Sequence, residues 1–374
     1  MGIRKVAVAF MLFMTSFGAF AEMSPSMAVA DMKGVNMPGW GELMSQPYFF
    51  EKELPFLRSA GLNHIRIPVS EHCVFDQQPS NDCSIERLKS FLAALDKNGF
   101  SATVDFHPTH DFFQEDSATW HAQFRQAWAV LGERLRNTDT HKVAFELLNE
   151  PQTTMSDWKG VIAGVVADLR SRDRQRTIIL GVPKFYTPHD LMSQTAIDDP
   201  NVVYAVHFYT PMIFTHQGAT WIPGSYYPAV GNVQFPVEFN TPEQKALCSN
   251  ASDQAVAACK AYEDAAKEGM DEEKITKKFG DLQFWAKNQH TRVVINEFGA
   301  LRYRAPIESR AAYLAAVRKA AEAKHMGWVV WDYSQGFGIT EKSACGRRPV
   351  TPLFSALGLD THGTKTYPMS CNLQ

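Results

Sequence analysis

Two glutamates sit where apolar strands run out. In AFELLNEPQ (144–152) Glu150 follows an apolar run and precedes a proline, and in VVINEFGA (293–300) Glu297 closes another. A carboxylate at the end of a buried strand is costly to desolvate unless it is paired, hydrogen-bonded or reactive. Two of them facing one bond suit acid–base and nucleophilic chemistry: one protonates a departing oxygen while the other attacks or stabilises the carbon left behind. Other polar residues close apolar runs in the same way: Arg66 in HIRIP, His107 in VDFHP, Asn149 in LLNEP, His207 and Tyr209 in HFYTP, and Trp331 in VVWDY. Taken alone, a histidine or tryptophan at such a place is ordinary core packing. A buried ion pair with Arg66 would explain one glutamate but not both strand ends together.

Those side chains need a frame that brings strand ends to one place. Short β-branched runs predict strands over Met32–Asn36, Asn63–Val69, Ser101–Phe106, Val143–Leu148, Thr177–Val182, Val202–Phe208, Arg292–Asn296 and Trp328–Asp332. Between them, helical spacing runs over Ile85–Asn98, Trp120–Arg136, Trp158–Arg172, Lys274–Asn288 and Ile307–Ala323. Alternating strand and helix means a parallel sheet, and eight such units in 374 residues point to one closed (β/α)8 TIM barrel whose chemistry lies at the carboxyl ends of the strands. The turn after the first strand, NMPGWGEL, has no phosphate-binding glycine pattern, so no nucleotide cofactor is expected. One stretch, about 211–270, is far longer than an ordinary connection and reads as a functional insertion after strand six.

A net charge of -3 and no basic run give no footprint for nucleic acid or an anionic membrane. The first residues carry Arg4 and Lys5, then an apolar stretch too short to span a bilayer, then Ala19-Phe20-Ala21, so residues 1–21 read as a signal peptide and residues 22–374 as the exported catalytic barrel. The expectation is a monomer, secreted or periplasmic, with no membrane association after cleavage. Six cysteines in an oxidising compartment favour disulfides, and sequence neighbours suggest Cys73 with Cys83, Cys248 with Cys259, and Cys345 with Cys371.

Cleavage of a glycosidic bond fits the paired glutamates best, since it needs one carboxylic acid and one carboxylate. Glu150 would protonate the glycosidic oxygen and Asn149 would bond a nearby sugar hydroxyl. Arg66 would keep Glu297 ionised by lowering its pKa, while a less polar setting holds Glu150 protonated. The segments KGVNMPGW, GLNHIRIP, VDFHP, LLNEP, HFYTP, INEFG and VVWDY, in this order from about Lys33 to Tyr333, resemble the strand signatures of glycoside hydrolase family 5, the cellulase-like family. That resemblance implies a retaining mechanism with Glu150 as acid/base and Glu297 as nucleophile. It implies a site completed by Arg66, His107, Asn149, His207, Tyr209 and Trp331, with Tyr209 on the nucleophile, His207 near the acid/base and Trp331 under the cleaved sugar. It implies a polysaccharide or oligosaccharide substrate and no metal.

The chain departs from the family in two places. After strand five it has Lys184, Phe185 and Tyr186 where many relatives carry a tryptophan–asparagine pair, and the insertion after Tyr209 is not a standard feature. Trp221, Tyr226 and Tyr227 there, with Trp40 after the first strand, are possible sugar platforms, or equally packing residues. His216 and Gln217 are further residues that could reach substrate. Three readings stand beside a β-1,4-glucanase: a hydrolase or transglycosylase of a bacterial exopolysaccharide, a non-catalytic carbohydrate-binding barrel, and a metal-dependent hydrolase using His107-x-x-His110. Excess chelator should leave cleavage of a responsive β-glucan unchanged, whereas abolition reversed by added metal would restore the last reading.

Overall fold

The computed structural model describes residues 27–46, 48–75, 83–343 and 346–360. The predicted signal peptide and the Cys345–Cys371 pairing lie outside the described residues. Eight strands, β1 (Lys33–Asn36), β2 (His64–Val69), β3 (Ser101–Phe106), β4 (Val143–Glu146), β5 (Ile178–Leu180), β6 (Val202–Phe208), β7 (Val293–Phe298) and β8 (Trp328–Val330), pair in parallel in that order and close into a barrel. Closure follows from the alternation of strand and helix, because a right-handed crossover through each helix lays every strand beside its predecessor.

The ladders of β4, β5 and β8 end earlier than the apolar runs predict. Leu147, Leu148, Val182 and Trp331 lie beyond the last paired residues, so the chain leaves the sheet before it reaches the polar strand ends. The freed carbonyls find side-chain donors instead. Trp128 Nε1 donates to Leu147 O at 2.7 Å and Trp158 Nε1 to Gly181 O at 3.0 Å. Helix starts were also misjudged by two to three residues at Ser117–Leu135, Met155–Arg170 and Glu272–Asn288. Their signals are the N-caps Asp116, Thr154 and Asp271, each accepting a backbone N–H from three residues on.

The interior is layered. Ala144, Ile179, Val203, Ala205 and Val294 form a small apolar floor plugged from below by Met27, Val29 and Met32, while the larger core lies between barrel and helices. Above the floor the inward residues turn polar: Asn36, His64, Arg66, Thr103, Asp105, Glu146 and Asn296 are all buried. His64 is held between Ser101 Oγ (2.8 Å) and Thr103 Oγ1 (2.9 Å), and burial pushes its pKa down to about 3, so it serves as a neutral bridge. The polar layer marks where the barrel stops being core and becomes a site.

The long connection after β6 contains helices Met212–Thr215, Pro242–Cys248 and Asp253–Glu268. The last two are joined by the Cys248–Cys259 disulfide, and Cys73–Cys83 closes the loop after β2, as sequence proximity suggested. An antiparallel hairpin, β9 (Thr340–Ser343) with β10 (Gly346–Pro349), follows β8. No helix among the described residues is long and apolar enough to cross a membrane.

Trp128 is 1% exposed, lies 5.2 Å from the Phe145 ring and satisfies the Leu147 carbonyl. Trp128→Leu should lower the unfolding free energy by about 3 kcal/mol in urea titration, combining a cavity with a lost hydrogen bond. An unchanged midpoint would contradict this account of how β4 is held.

Candidate active site

The polar layer is organised by one guanidinium. Arg66, on β2 and fully buried, donates from Nε to Glu146 Oε2 (2.7 Å) and from Nη2 to Glu146 Oε1 (2.8 Å), a bidentate fork. Nη2 also faces Asn149 Oδ1 (2.9 Å) and Asp105 Oδ2 (2.9 Å), while Nη1 donates to Asn36 Oδ1 (2.9 Å) and Glu297 Oε1 (2.7 Å). Asn296 Nδ2 caps both Glu146 oxygens at 2.9 and 3.0 Å. Burial alone would lower the Arg66 pKa, but Asp105, Glu146 and Glu297 raise it well above its ordinary value. Asp105, Glu146, Asn36 and Asn296 were not singled out in the sequence; a charged residue inside an apolar run, as in VDF and AFELL, was the available signal.

A chain of hydrogen bonds leads from this hub to the surface of the site. His107 Nδ1 lies 2.8 Å from Asp105 Oδ2, and its Nε2 lies 3.2 Å from Asn149 Nδ2. Burial lowers the His107 pKa, so the ring is neutral: Nδ1–H donates to Asp105 and Nε2 accepts from Asn149. Asn149 is thereby oriented, its oxygen receiving Arg66 and one N–H giving to His107. Its second amide N–H is left for a ligand. Burial also pushes Asp105 up to about 7 against the pull of Arg66.

Glu150 and Glu297 converge on His207. His207 Nδ1 is 2.7 Å from Glu150 Oε1 and 3.4 Å from Glu297 Oε2, and one carboxylate oxygen of each glutamate lies within 4.8 Å of the other. A register shift between Val206 and His207 pairs His207 with Glu297 across β6 and β7, which turns the imidazole toward the barrel mouth. Burial drives the His207 pKa down to about 4, and Nε2 is buried without a partner among the described residues, so the single proton belongs on Nδ1. Glu150 Oε1 therefore receives an N–H, and Oε2 is the oxygen left to carry a transferable proton. Glu297 is gripped from more sides, by Arg66 at Oε1 and by Tyr209 OH at Oε2 (3.0 Å).

Burial raises the pKa of both carboxyls, Glu150 to about 7. Desolvation by burial is the larger influence on the Glu297 pKa and the net shift is upward, with His207 opposing it and Arg66 pulling it down as expected. The division of labour rests instead on donors, since Glu297 accepts a full cation and a phenol whereas Glu150, one quarter accessible on its side chain, accepts one imidazole.

Trp331 stacks on His107 at 5.9 Å and 19° and stays partly open. Rings continue outward from Tyr209 to Phe337 (5.8 Å) and on to Trp221 (6.2 Å), which is 53% exposed. Phe337 was missed by sequence reasoning; it stands on a turn fixed by Asp332, whose carboxylate accepts the backbone N–H groups of Ser334, Gln335 and Phe337. Several residues left open between sugar platform and packing are placed in packing. Trp40 is 2% exposed, parallel to Phe91 at 5.8 Å, with Nε1 bonded to Pro68 O, so it offers no face to a sugar. Tyr227 is likewise buried, packed against His216 and Tyr226. Gln217 is fully buried and clamps the insertion through Phe214 O, Val233 O and Val233 N. His216 is buried beside Tyr209, and Tyr226 is half-buried. Donor atoms of Glu150, His207 and Glu297 lie close enough to hold a cation, but His207 Nδ1 is engaged between the carboxylates; in the other such group among the described residues, Cys248 and Cys259 are bonded to each other.

A closed parallel barrel with two carboxylates meeting at the ends of β4 and β7 is an arrangement suited to paired acid–base chemistry. The family model "Cellulase (glycosyl hydrolase family 5)" matches residues 25–336, and the chain belongs to that family. Among curated relatives, Endoglucanase 3 of Fibrobacter succinogenes is 25% identical over 83% of this chain and 50% of its own length. Endoglucanase C of Acetivibrio thermocellus is 28% identical over 50% of this chain and 60% of its own length, so the chain spans about half of the relatives it matches. Thermotoga maritima Cel5A, in a mutant form with cellobiose, superposes with a TM-score of 0.69 at 22% identity, covering 89% of this chain and 99% of that one. The cellulose synthase subunit Z of Clostridioides difficile superposes with a TM-score of 0.67 at 22% identity, over 87% and 98%. Both likenesses are likenesses of fold.

Because folding lifts the Glu150 pKa from the usual 4.5 to about 7, the folded protein holds that proton more tightly, and the stability this contributes at low pH is lost as pH rises between those values. Glu150→Gln should therefore be more stable than the native chain at pH 8, by about 1–3 kcal/mol. The gap should close toward pH 4 in parallel urea titrations. A pH-independent difference would contradict the raised value.

Proposed function

We propose that the protein is an exported, retaining glycoside hydrolase that cuts internal β-1,4 bonds of a glucan. The observation that carries this reading is the approach of the Glu150 and Glu297 oxygens to within 4.8 Å. That spacing suits direct attack on the sugar carbon, since retaining enzymes hold their carboxyls about 5–5.5 Å apart and inverting ones leave room for a water. Glu297 attacks the anomeric carbon as the carbon–oxygen bond to the leaving sugar breaks, and Glu150 gives that oxygen its proton. A covalent glycosyl ester on Glu297 results. Glu150, now a carboxylate, takes a proton from water as the water oxygen attacks the same carbon, and Glu297 leaves with its charge restored.

The remaining residues have supporting parts. Arg66 and Tyr209 aim the nucleophile and take up its charge when the ester opens. The unused N–H of Asn149 suits a hydroxyl next to the reacting carbon, and Trp331 a pyranose face. Membership of a cellulase family and the two endoglucanase relatives support a β-glucan; two disulfides among the described residues support export. A second reading, hydrolysis or transglycosylation of a bacterial exopolysaccharide, is favoured by the insertion that extends the ring wall to Trp221 and by the cellulose synthase subunit among the structural neighbours. A carbohydrate-binding barrel without catalysis fits less well, because both carboxyls and their donors are intact.

On a panel of β-glucans, mannans, xylan and exopolysaccharides, Glu150→Gln and Glu297→Ala should each lose about 10²–10⁴-fold in rate while keeping native circular dichroism. Proton NMR of the first product should show the β-anomer. Full activity in either variant, or the α-anomer appearing first, would overturn the mechanism; cleavage of an acylated or branched exopolysaccharide alone would move the substrate to the second reading.

A further inference from the structure

The turn after β5 holds two residues with side chains in the left-handed region of backbone conformation. Lys184 and Tyr186 adopt φ values of 72° and 50°, and Glu150 itself sits at 40°. Such conformations are rare for residues with side chains, most of all bulky ones, and persist only where the surroundings over-determine them. Here three hydrogen bonds from the turn bracket the acid/base candidate and its imidazole. Tyr186 OH donates to Leu148 O, two residues before Glu150; Lys184 N donates to Pro151 O at 2.9 Å, one residue after it; and His207 N donates to Tyr186 O at 3.1 Å.

The Tyr186 ring completes the arrangement. It is fully buried, and its centroid lies 4.6 Å from that of His207, tilted by 43°. Residue 181 must be glycine for the ring to sit there, because a β-carbon at that position would fall inside it. Gly181 O is tied down in turn by Trp158 Nε1. Tyr186 packs against the imidazole, and Nε2 is buried with no hydrogen-bond partner among the described residues, which leaves Nδ1 as the place for the proton and for the bond to Glu150 Oε1.

We infer that Tyr186 is a positioning residue: from the turn that replaces the usual strand-five pair, it holds the Glu150 backbone and the His207 ring in the geometry that presents the Glu150 proton to a leaving oxygen. It touches neither substrate nor reacting atoms, and it acts on the proton-donating half of the reaction while leaving the grip of Arg66 and Tyr209 on Glu297 alone. The inference rests on the assignment of Glu150 as acid/base.

Leaving groups that need no proton separate this role from a general structural one. In the full-length exported protein, Tyr186→Phe and Tyr186→Leu should lower kcat/KM on an unactivated cello-oligosaccharide by about ten-fold or more, part of the 10²–10⁴ that a general acid supplies. On 2,4-dinitrophenyl β-cellobioside, whose phenolate departs unaided, kcat/KM should stay within about two-fold. Equal losses on the two substrates, or no loss on either, in a folded variant would overturn the inference; the phenylalanine variant, which keeps the ring against His207 and Gly181 and loses only the hydroxyl bonded to Leu148 O, supplies the answer if the leucine variant fails to fold. A native protein inert on both substrates would instead bring down the β-glucan reading, and full activity of Glu150→Gln on the cello-oligosaccharide would bring down the assignment of Glu150 and this inference with it.

Discussion

The site depends on a single buried cation. Arg66 has five N–H groups, and the structure meets them with the carboxylates of Asp105 on β3, Glu146 on β4 and Glu297 on β7 and the amide oxygens of Asn36 on β1 and of Asn149 just past β4. A guanidinium is suited to this because its fork is rigid and it does not deprotonate. One positive charge cannot offset Asp105, Glu146, Glu297 and nearby Glu150 together, so burial wins over attraction and the carboxyl pKa values rise. A proton retained near neutrality is the physical consequence, and acid catalysis needs one.

Positioning then follows from where the sheet ends. Paired strands deliver their last residues at fixed places, but the catalytic candidates stand just beyond the ladder on β4 and at a register shift between β6 and β7. Backbone released from the ladder is held by indoles and a phenol instead: Trp128, Trp158 and Tyr186 each satisfy a carbonyl near the barrel mouth. Buried carbonyls left without a donor would be costly, and the aromatic N–H and O–H groups satisfy them.

Most of the barrel was legible because eight β-branched runs alternate with amphipathic ones, and the site was legible wherever a polar residue closed an apolar run. Asp105 and Glu146 escaped because each lies within its run, where the alternation of inward and outward positions hides a charge among valines and phenylalanines. Trp40, Tyr227 and Gln217 stayed open between contact and packing for the opposite reason: an aromatic or amide in a loop looks free until packing shows Phe91, His216 or Val233 against it. Tyr186 showed in the sequence only as a departure from the family pattern; its hold on Leu148 and His207 joins residues far apart in the chain, which spacing cannot reveal.

The central claim is that Glu297, oriented by Arg66 and Tyr209, forms a bond to the sugar. Incubation with a 2-deoxy-2-fluoro β-cellobioside bearing a good leaving group, followed by proteolysis and mass spectrometry, reads this directly, because the fluorine slows hydrolysis of any glycosyl ester formed. The account predicts one added fluoro-cellobiosyl mass, on the peptide containing Glu297. A label on the peptide containing Glu150, or turnover of the parent glycoside with no labelled peptide at all, would contradict it.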